Sequence, residues 1–288
     1  QTFIIETNTA VTISNGIIDY TISKKEQTKD SSLKHVFSEL ITHEPSVTVE
    51  AQSSKQVVFK LTIPNQPFDG IILGGIHVRQ KDTEQKKGQI SNTYSYALGV
   101  VLQENDKKIV PELKVNKVAA GLKNYRPQVS VNIQNTQPIN ISGLKVKAVI
   151  KKAGSNKEVK ISERQNLSMA PNSNFDYSIS WEDQRLEPGN YEMTLTAEDD
   201  KENSWEFKRD FTISKNEAEK TNKSALGLET GSDNQLIYFG MILITIVGLF
   251  LLYLHSKNKR VALELERVKQ TQLKKGKEKK KRKNNSSR

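Results

Sequence analysis

The chain has 288 residues, with 44 Lys+Arg against 33 Asp+Glu, a net charge of +11, and no cysteine. The charge is not spread evenly: from His255 onward there are 14 basic and 3 acidic residues, which leaves 30 of each in the preceding 254. A uniformly basic nucleic-acid binder, a disulfide scaffold, thiol chemistry and cysteine-ligated zinc are therefore excluded, and near-average Pro and Gly exclude collagen-like or low-complexity chains.

From the N-terminus, residues 1–111 read as successive short strands. Thr2 to Ser14 is rich in Thr, Ile and Val, and the Asn15-Gly16 turn signal leads into IIDYTIS. Residues 24–35 are polar and read as a loop. Val47–Glu50 and Val57–Ile63 (VVFKLTI) are expected strands, with Ala51–Gln56 turn-like between them. The turn Pro67-Phe68-Asp69-Gly70 precedes IILGGIHV, whose weak alternation suits a strand buried on both faces. Gly74-Gly75 within it lets another group approach closely: a sheet bulge is the expected reason, and a glycine-floored ligand groove the functional alternative. Lys81–Gln89 reads as a charged hairpin loop. In SNTYSYALGVVLQ, Tyr94, Tyr96, Leu98, Val100 and Leu102 share one face at period two, as in a strand of a sandwich core.

Near Pro111 a second series of strands begins, seven or eight at roughly ten-residue spacing, separated by Gly, Asn and Pro. Helical periodicity is almost absent, which is the pattern of an immunoglobulin-like sandwich. Leu186–Tyr191 reads as the turn before the penultimate strand, and Trp181 and Trp205 as core aromatics. Lys215–Gln235 is polar and reads as a short helical or disordered spacer. The fold class expected is mainly β, two tandem immunoglobulin-like β-sandwich domains (1–111 and 112–221), then a spacer (222–235), a transmembrane helix (236–254) and a basic tail (255–288).

Leu236 to Leu254 (LIYFGMILITIVGLFLLYL) carries no charge over 19 residues. As a helix it spans about 28 Å, close to the hydrocarbon thickness of a bilayer. It has no polar face, and Tyr238 and Tyr253 sit near its ends, where amphipathic rings favour the interface. The Lys/Arg excess after it predicts a cytoplasmic C-terminus and an external N-terminal part. An external N-terminus calls for an export signal, so a signal peptide is expected to precede Gln1. A cysteine-free exterior fits a Gram-positive surface better than a eukaryotic one. Val261–Gln272 reads as a juxtamembrane helix, and the Lys274–Lys283 block as a binder of anionic lipid head groups; the tail has no aromatic or folded reader for nucleic acid.

No catalytic constellation emerges. His35, His43, His77 and His255 are scattered, without an i, i+4 metal pair, and no nucleophile elbow, Walker loop or dinucleotide fingerprint occurs. Glu198-Asp199-Asp200 and Glu182-Asp183 lack the ligand spacing of a calcium loop and read as turns. Leu228-Glu229-Thr230-Gly231 sits where a sortase substrate carries LPxTG, yet its proline is missing and a 34-residue tail follows, so permanent anchoring is expected. Catalytic, cofactor and metal residues are thus expected to be none, with ligand-binding residues unassigned.

NGIIDY (15–20), PFDGIILGGI (67–76), YSYALGVVLQEND (94–106), ISGLKVKA (141–148), SMAPNSNFDYSI (168–179) and LEPGNYEMTLTA (186–197) resemble the WxL-interacting protein family of Gram-positive bacteria. The resemblance covers nearly all of residues 1–221, with the motifs in the family's order. It implies a peptidoglycan-binding domain over 1–111 and a host-binding β-sandwich over 112–221, engaging WxL-domain surface proteins or host extracellular matrix proteins. It also implies a strand or two ahead of the stretch matching Gln1. No catalytic residues come with it, so a non-enzymatic tether at the cell membrane is the expectation. A host-matrix adhesin, a wall-active enzyme and a sensor signalling through the tail are the alternatives.

Overall fold

The computed structural model describes residues 1–23, 25–81, 94–228 and 234–285. Its secondary structure is mainly β, and the chain forms two units, Gln1–Leu228 and Glu229–Arg288.

The first lobe of the large unit holds β1 (Thr2–Thr9), β2 (Val11–Ile13), β3 (Ile17–Asp19), α1 (Phe37–Leu40), β4 (Ile41–Thr42), β5 (Ser46–Thr48), β6 (Lys60–Leu61), β7 (Ile71–Gln80) and β8 (Ser95–Gln103). Its main sheet is antiparallel in the order β5-β1-β7-β8. Asn15-Gly16 closes the β2–β3 hairpin as expected, with Gly16 at φ +74°. One face of the main sheet is capped by α1, whose Phe37 is fully buried beside Ile41 and Ile72.

β7 pairs residue for residue with both neighbours through Gly74-Gly75, so the expected bulge is not there. The glycines instead make room for aromatic rings of the same chain. A Cβ on Gly74 would lie 2.0 Å from Phe37 Cδ1 on one face, and a Cβ on Gly75 would lie 2.6 Å from Tyr20 Cβ on the other. The alternative of a ligand groove is overturned for the same reason.

Two further expectations fail together here. Val57–Ile63 contributes only Lys60–Leu61 to pairing, with Ile41–Thr42, and Val58, Leu61 and Ile63 are exposed. With that segment off the sheet, the β8 face read as core is open. Val100 and Leu102 are half-buried beside the Phe37 cluster, whereas Tyr94, Tyr96 and Leu98 are 73%, 72% and 65% exposed. Period two places side chains on one face; a second layer must still cover that face.

The second lobe holds β9 (Leu113–Lys123), β10 (Arg126–Asn135), β11 (Ile141–Lys152), β12 (Glu158–Met169), β13 (Ser173–Ser180), β14 (Gly189–Glu198), β15 (Ser204–Ile213) and α2 (Lys215–Ser224). They form a three-stranded sheet, β13-β10-β9, and a four-stranded sheet, β12-β11-β14-β15. Alternate residues point into one common core: Val129, Val131 and Ile133 from β10, Val146, Ala148 and Ile150 from β11, Tyr191, Met193 and Leu195 from β14. Trp181 is buried edge-on to Tyr191, with centroids 6.3 Å apart, and Trp205 packs against the same core. The Tyr191 hydroxyl donates to Glu187 O at 2.8 Å, pinning the turn that leads into β14.

The polar stretch after β15 is only partly a spacer. Ser214 caps α2 through a reciprocal capping box with Glu217, and Ala218 and Thr221 are buried. Asn222 accepts from Leu186 N at 2.8 Å and donates to Leu186 O at 2.9 Å, fixing the helix to the lobe.

The second unit contains α3 (Asn234–Asn285), a single helix of 52 residues and about 78 Å. Val261–Gln272 is therefore one part of this helix, not a separate element. Phe239–Lys269 is long and apolar enough to cross a membrane by length and composition. The Thr245 hydroxyl donates to Met241 O at 3.0 Å, so this polar group is satisfied within the helix. Residues 82–89 of the charged loop and 229–231 of the LETG stretch lie outside the described residues, as do the side chains of Tyr238 and Lys274–Lys283.

Candidate functional site

The candidate site lies where the two lobes of the large unit meet, and a buried carboxylate organises that junction. Asp30, in the polar loop after β3, is 6% exposed. Its carboxylate accepts from the Ser32 amide at 2.8 Å and hydroxyl at 2.7 Å, and from Gln134 Nε2 at 2.8 Å and Asn174 Nδ2 in the second lobe. Burial pushes its pKa up, but these hydrogen bonds outweigh burial and hold the carboxyl below its ordinary value. Nearby, Thr12 Oγ1 and Ser173 Oγ share a hydrogen bond at 2.6 Å, and Ser168 N donates to Gly16 O at 2.7 Å. The junction is thus mixed: these polar groups are paired, and beside them Ala10 and Leu73 of the first lobe pack with Ala170 of the second.

The other anchor is the turn Pro67-Phe68-Asp69-Gly70. Ile71 N donates to Pro138 O at 2.8 Å. Gly70 sits at φ +79°, and a Cβ there would lie 2.3 Å from the same carbonyl. From behind, Glu104 accepts from Phe68 N at 2.8 Å, and Lys107 pairs with Asp69 at 2.5 Å. The Lys107 bond leads the causes that lower the Asp69 pKa.

Between these anchors opens a cleft of about 640 Å³. Phe68 and His35 stand in it as a pair of rings, centroids 5.5 Å apart and tilted by 51°, both half-buried. Lys34 is exposed on the rim, and Gln66, Gln137 and Asn172 contribute amides. Aromatic faces beside amides and one ammonium form a surface for a neutral or anionic ligand with apolar ring faces and polar edges, as in a sugar.

The residues weighed in the sequence fall elsewhere, apart from His35. His43 bonds Glu44 O at 2.8 Å and approaches Thr7 Oγ1 at 3.3 Å. His77 is buried, with Nδ1 3.5 Å from Glu6, and His255 lies on α3. Asp199 lies at a turn, as read from the sequence, but is shut off from solvent. It accepts from Lys201 N, Asn203 N and Asn203 Nδ2 at 2.8–2.9 Å, closing the β14–β15 turn. Glu182 and Asp183 pair with Lys160 at 3.2 Å and Arg126 at 3.1 Å. Among the described residues, no group of three or more acidic or His side chains is placed to hold a metal. Sequence reasoning missed Asp30 and Phe68. The Asp-x-Ser spacing of an Asx turn marks the first, and the second stands in plain view within a turn signal.

The described residues thus form a two-lobed β unit with a polar-aromatic cleft, followed by a long helix with an apolar stretch. Residues 1–80 match the family model for the WxL Interacting Protein peptidoglycan binding domain, and residues 85–223 match that for the WxL Interacting Protein host binding domain. The chain belongs to the WxL-interacting protein family. The second match begins ahead of β8, which pairs with β7 in the first lobe's sheet. A search of curated proteins finds no match.

Proposed function

We propose that the protein is a non-enzymatic tether of the Gram-positive cell envelope, with the junction cleft as its wall-polymer site. The observation that carries this reading is the Phe68–His35 pair. It belongs to the lobe that matches the peptidoglycan-binding model, and it faces amides and Lys34 across a cleft open to solvent. In this reading α3 fixes the chain in the cell membrane, N-terminus outside and the Lys/Arg-rich end in the cytoplasm against anionic lipid head groups. The second lobe docks WxL-domain surface proteins. Weak contacts at each site gain from the high effective concentration that one shared anchor creates.

The test is co-sedimentation of the purified full chain with insoluble peptidoglycan. Retention on the wall without release of soluble fragments is expected; failure to sediment contradicts wall binding, and fragment release contradicts the non-enzymatic part. The match of residues 85–223 to a host binding domain favours a second reading, in which that lobe also binds host extracellular matrix proteins. Capture of the full chain on immobilised WxL-domain proteins and on matrix proteins separates the two: binding to matrix alone removes the WxL partner.

A further inference from the structure

We propose that α3 pairs in parallel with α3 of a second copy of this chain, through a seam that continues from the membrane segment into the tail. This rests on the anchoring reading above, which gives two copies the same orientation. In the charged part of the helix three of the few large apolar residues share a heptad phase, with Leu263 off it. Val261, Leu265 and Val268 recur at steps of four and three, and all three are exposed, at 48%, 57% and 58%. Extended toward the apolar run, the same heptad phase passes through Asn258, Leu254, Leu251, Val247 and Ile244. One stripe with a repeat of 3.5 residues therefore continues along the helix, apolar at every position but Asn258, as in a two-stranded seam.

Two details select a second copy over another occupant. Asn258 falls at a core a position, with Leu254 and Val261 at the adjacent d positions. A lone Asn at a favours parallel two-stranded pairing, because each amide finds its equivalent across the seam. The sequence also places Glu264 at g and Lys269 at the following e, opposite signs that face each other between parallel chains in register. The seam ends at Gln272 and Lys275, where the polybasic run begins. Pairing would set two external units side by side and double the wall contacts of each assembly.

Because the chain has no cysteine, single replacements report pairing cleanly. Full-length Val261→Cys, Leu265→Cys and Val268→Cys are compared in membranes with Lys259→Cys and Leu263→Cys, which lie off the seam, under mild copper-catalysed oxidation. Alkaline carbonate extraction of the same membranes scores anchoring separately. Retained protein in which the seam positions form disulfide-linked dimer at least fivefold faster than the other two supports the proposal. Retained protein with no such periodicity, or no dimer, overturns the pairing alone. Release into the alkaline supernatant overturns the anchoring reading and the pairing with it. Asn258→Val gives an independent check: the seam should then lose its preference for dimers, with higher oligomers appearing after chemical cross-linking of lysines, and an unchanged dimer would contradict the role of Asn258.

Discussion

The two lobes of the large unit are built from similar strand-rich sequence, yet they bury their apolar residues very differently. In the second lobe two sheets face each other, and Val131, Ile133, Leu195 and Tyr191 are shut off from water. In the first lobe a four-stranded sheet is covered at one end by Phe37 and its neighbours, while Tyr94, Tyr96 and Leu98 at the other end stand open. The lesson is that alternation in a strand specifies a face, whereas stability comes from the layer that closes over it. The second lobe closes over its own core, whereas the first also leans on contacts across its junction with the second.

The largest contrast is expected between core truncations. Leu195→Ala in the second lobe should cost about 2–5 kcal/mol, while Leu98→Ala in the first should change stability by less than about 0.5 kcal/mol, both read by chemical denaturation. Equal effects would mean that something closes over the β8 face in solution. At the seam, Gly70→Ala adds a Cβ against Pro138 O at a left-handed φ, and a loss of at least about 2 kcal/mol is expected, together with faster proteolytic cleavage near residue 70. Asp30→Ala leaves Gln134 and Asn174 facing an empty polar pocket and should cost about 1–3 kcal/mol. The pH dependence follows from the same carboxylate. Its pKa is lower folded than unfolded, so its stabilisation is present above the unfolded value and is lost as pH falls through the folded one. In Asp30→Asn that acid-side slope should shrink. A smaller loss is expected at the edge of the second lobe: Ser214→Ala removes the α2 cap and should cost about 1 kcal/mol, read by chemical denaturation.

Much of the second lobe was legible from residues alone, because Val129, Val131 and Ile133, or Tyr191, Met193 and Leu195, alternate cleanly and all meet one core. The hairpin at Asn124-Tyr125 was harder. Both residues sit at positive φ, yet the pair lacks the glycine that usually announces such a turn. In the first lobe, the partners of Gly74 and Gly75 were not legible, since Phe37 and Tyr20 come from distant loops. The open β8 face and the short pairing of Lys60–Leu61 were hidden for a related reason: strand propensity in VVFKLTI says nothing about whether a neighbour is available. The docking of α2 was missed because only Ala218 and Thr221 of its ten residues turn inward. The cleft was missed because its rings come from the polar loop and from the Pro67–Gly70 turn, each unremarkable alone.

The measurement that bears most directly on the account is calorimetric titration of the full chain with soluble peptidoglycan fragments, comparing the native protein with Phe68→Ala. In the proposed reading the tilted Phe68–His35 pair holds the sugar face, so the affinity of the folded variant should fall about fivefold or more, near 1 kcal/mol. Thermal stability should also drop, because the Phe68 ring packs against the Phe37 cluster. Unchanged affinity in Phe68→Ala would place the wall-binding surface elsewhere on the protein and contradict the assignment of the cleft.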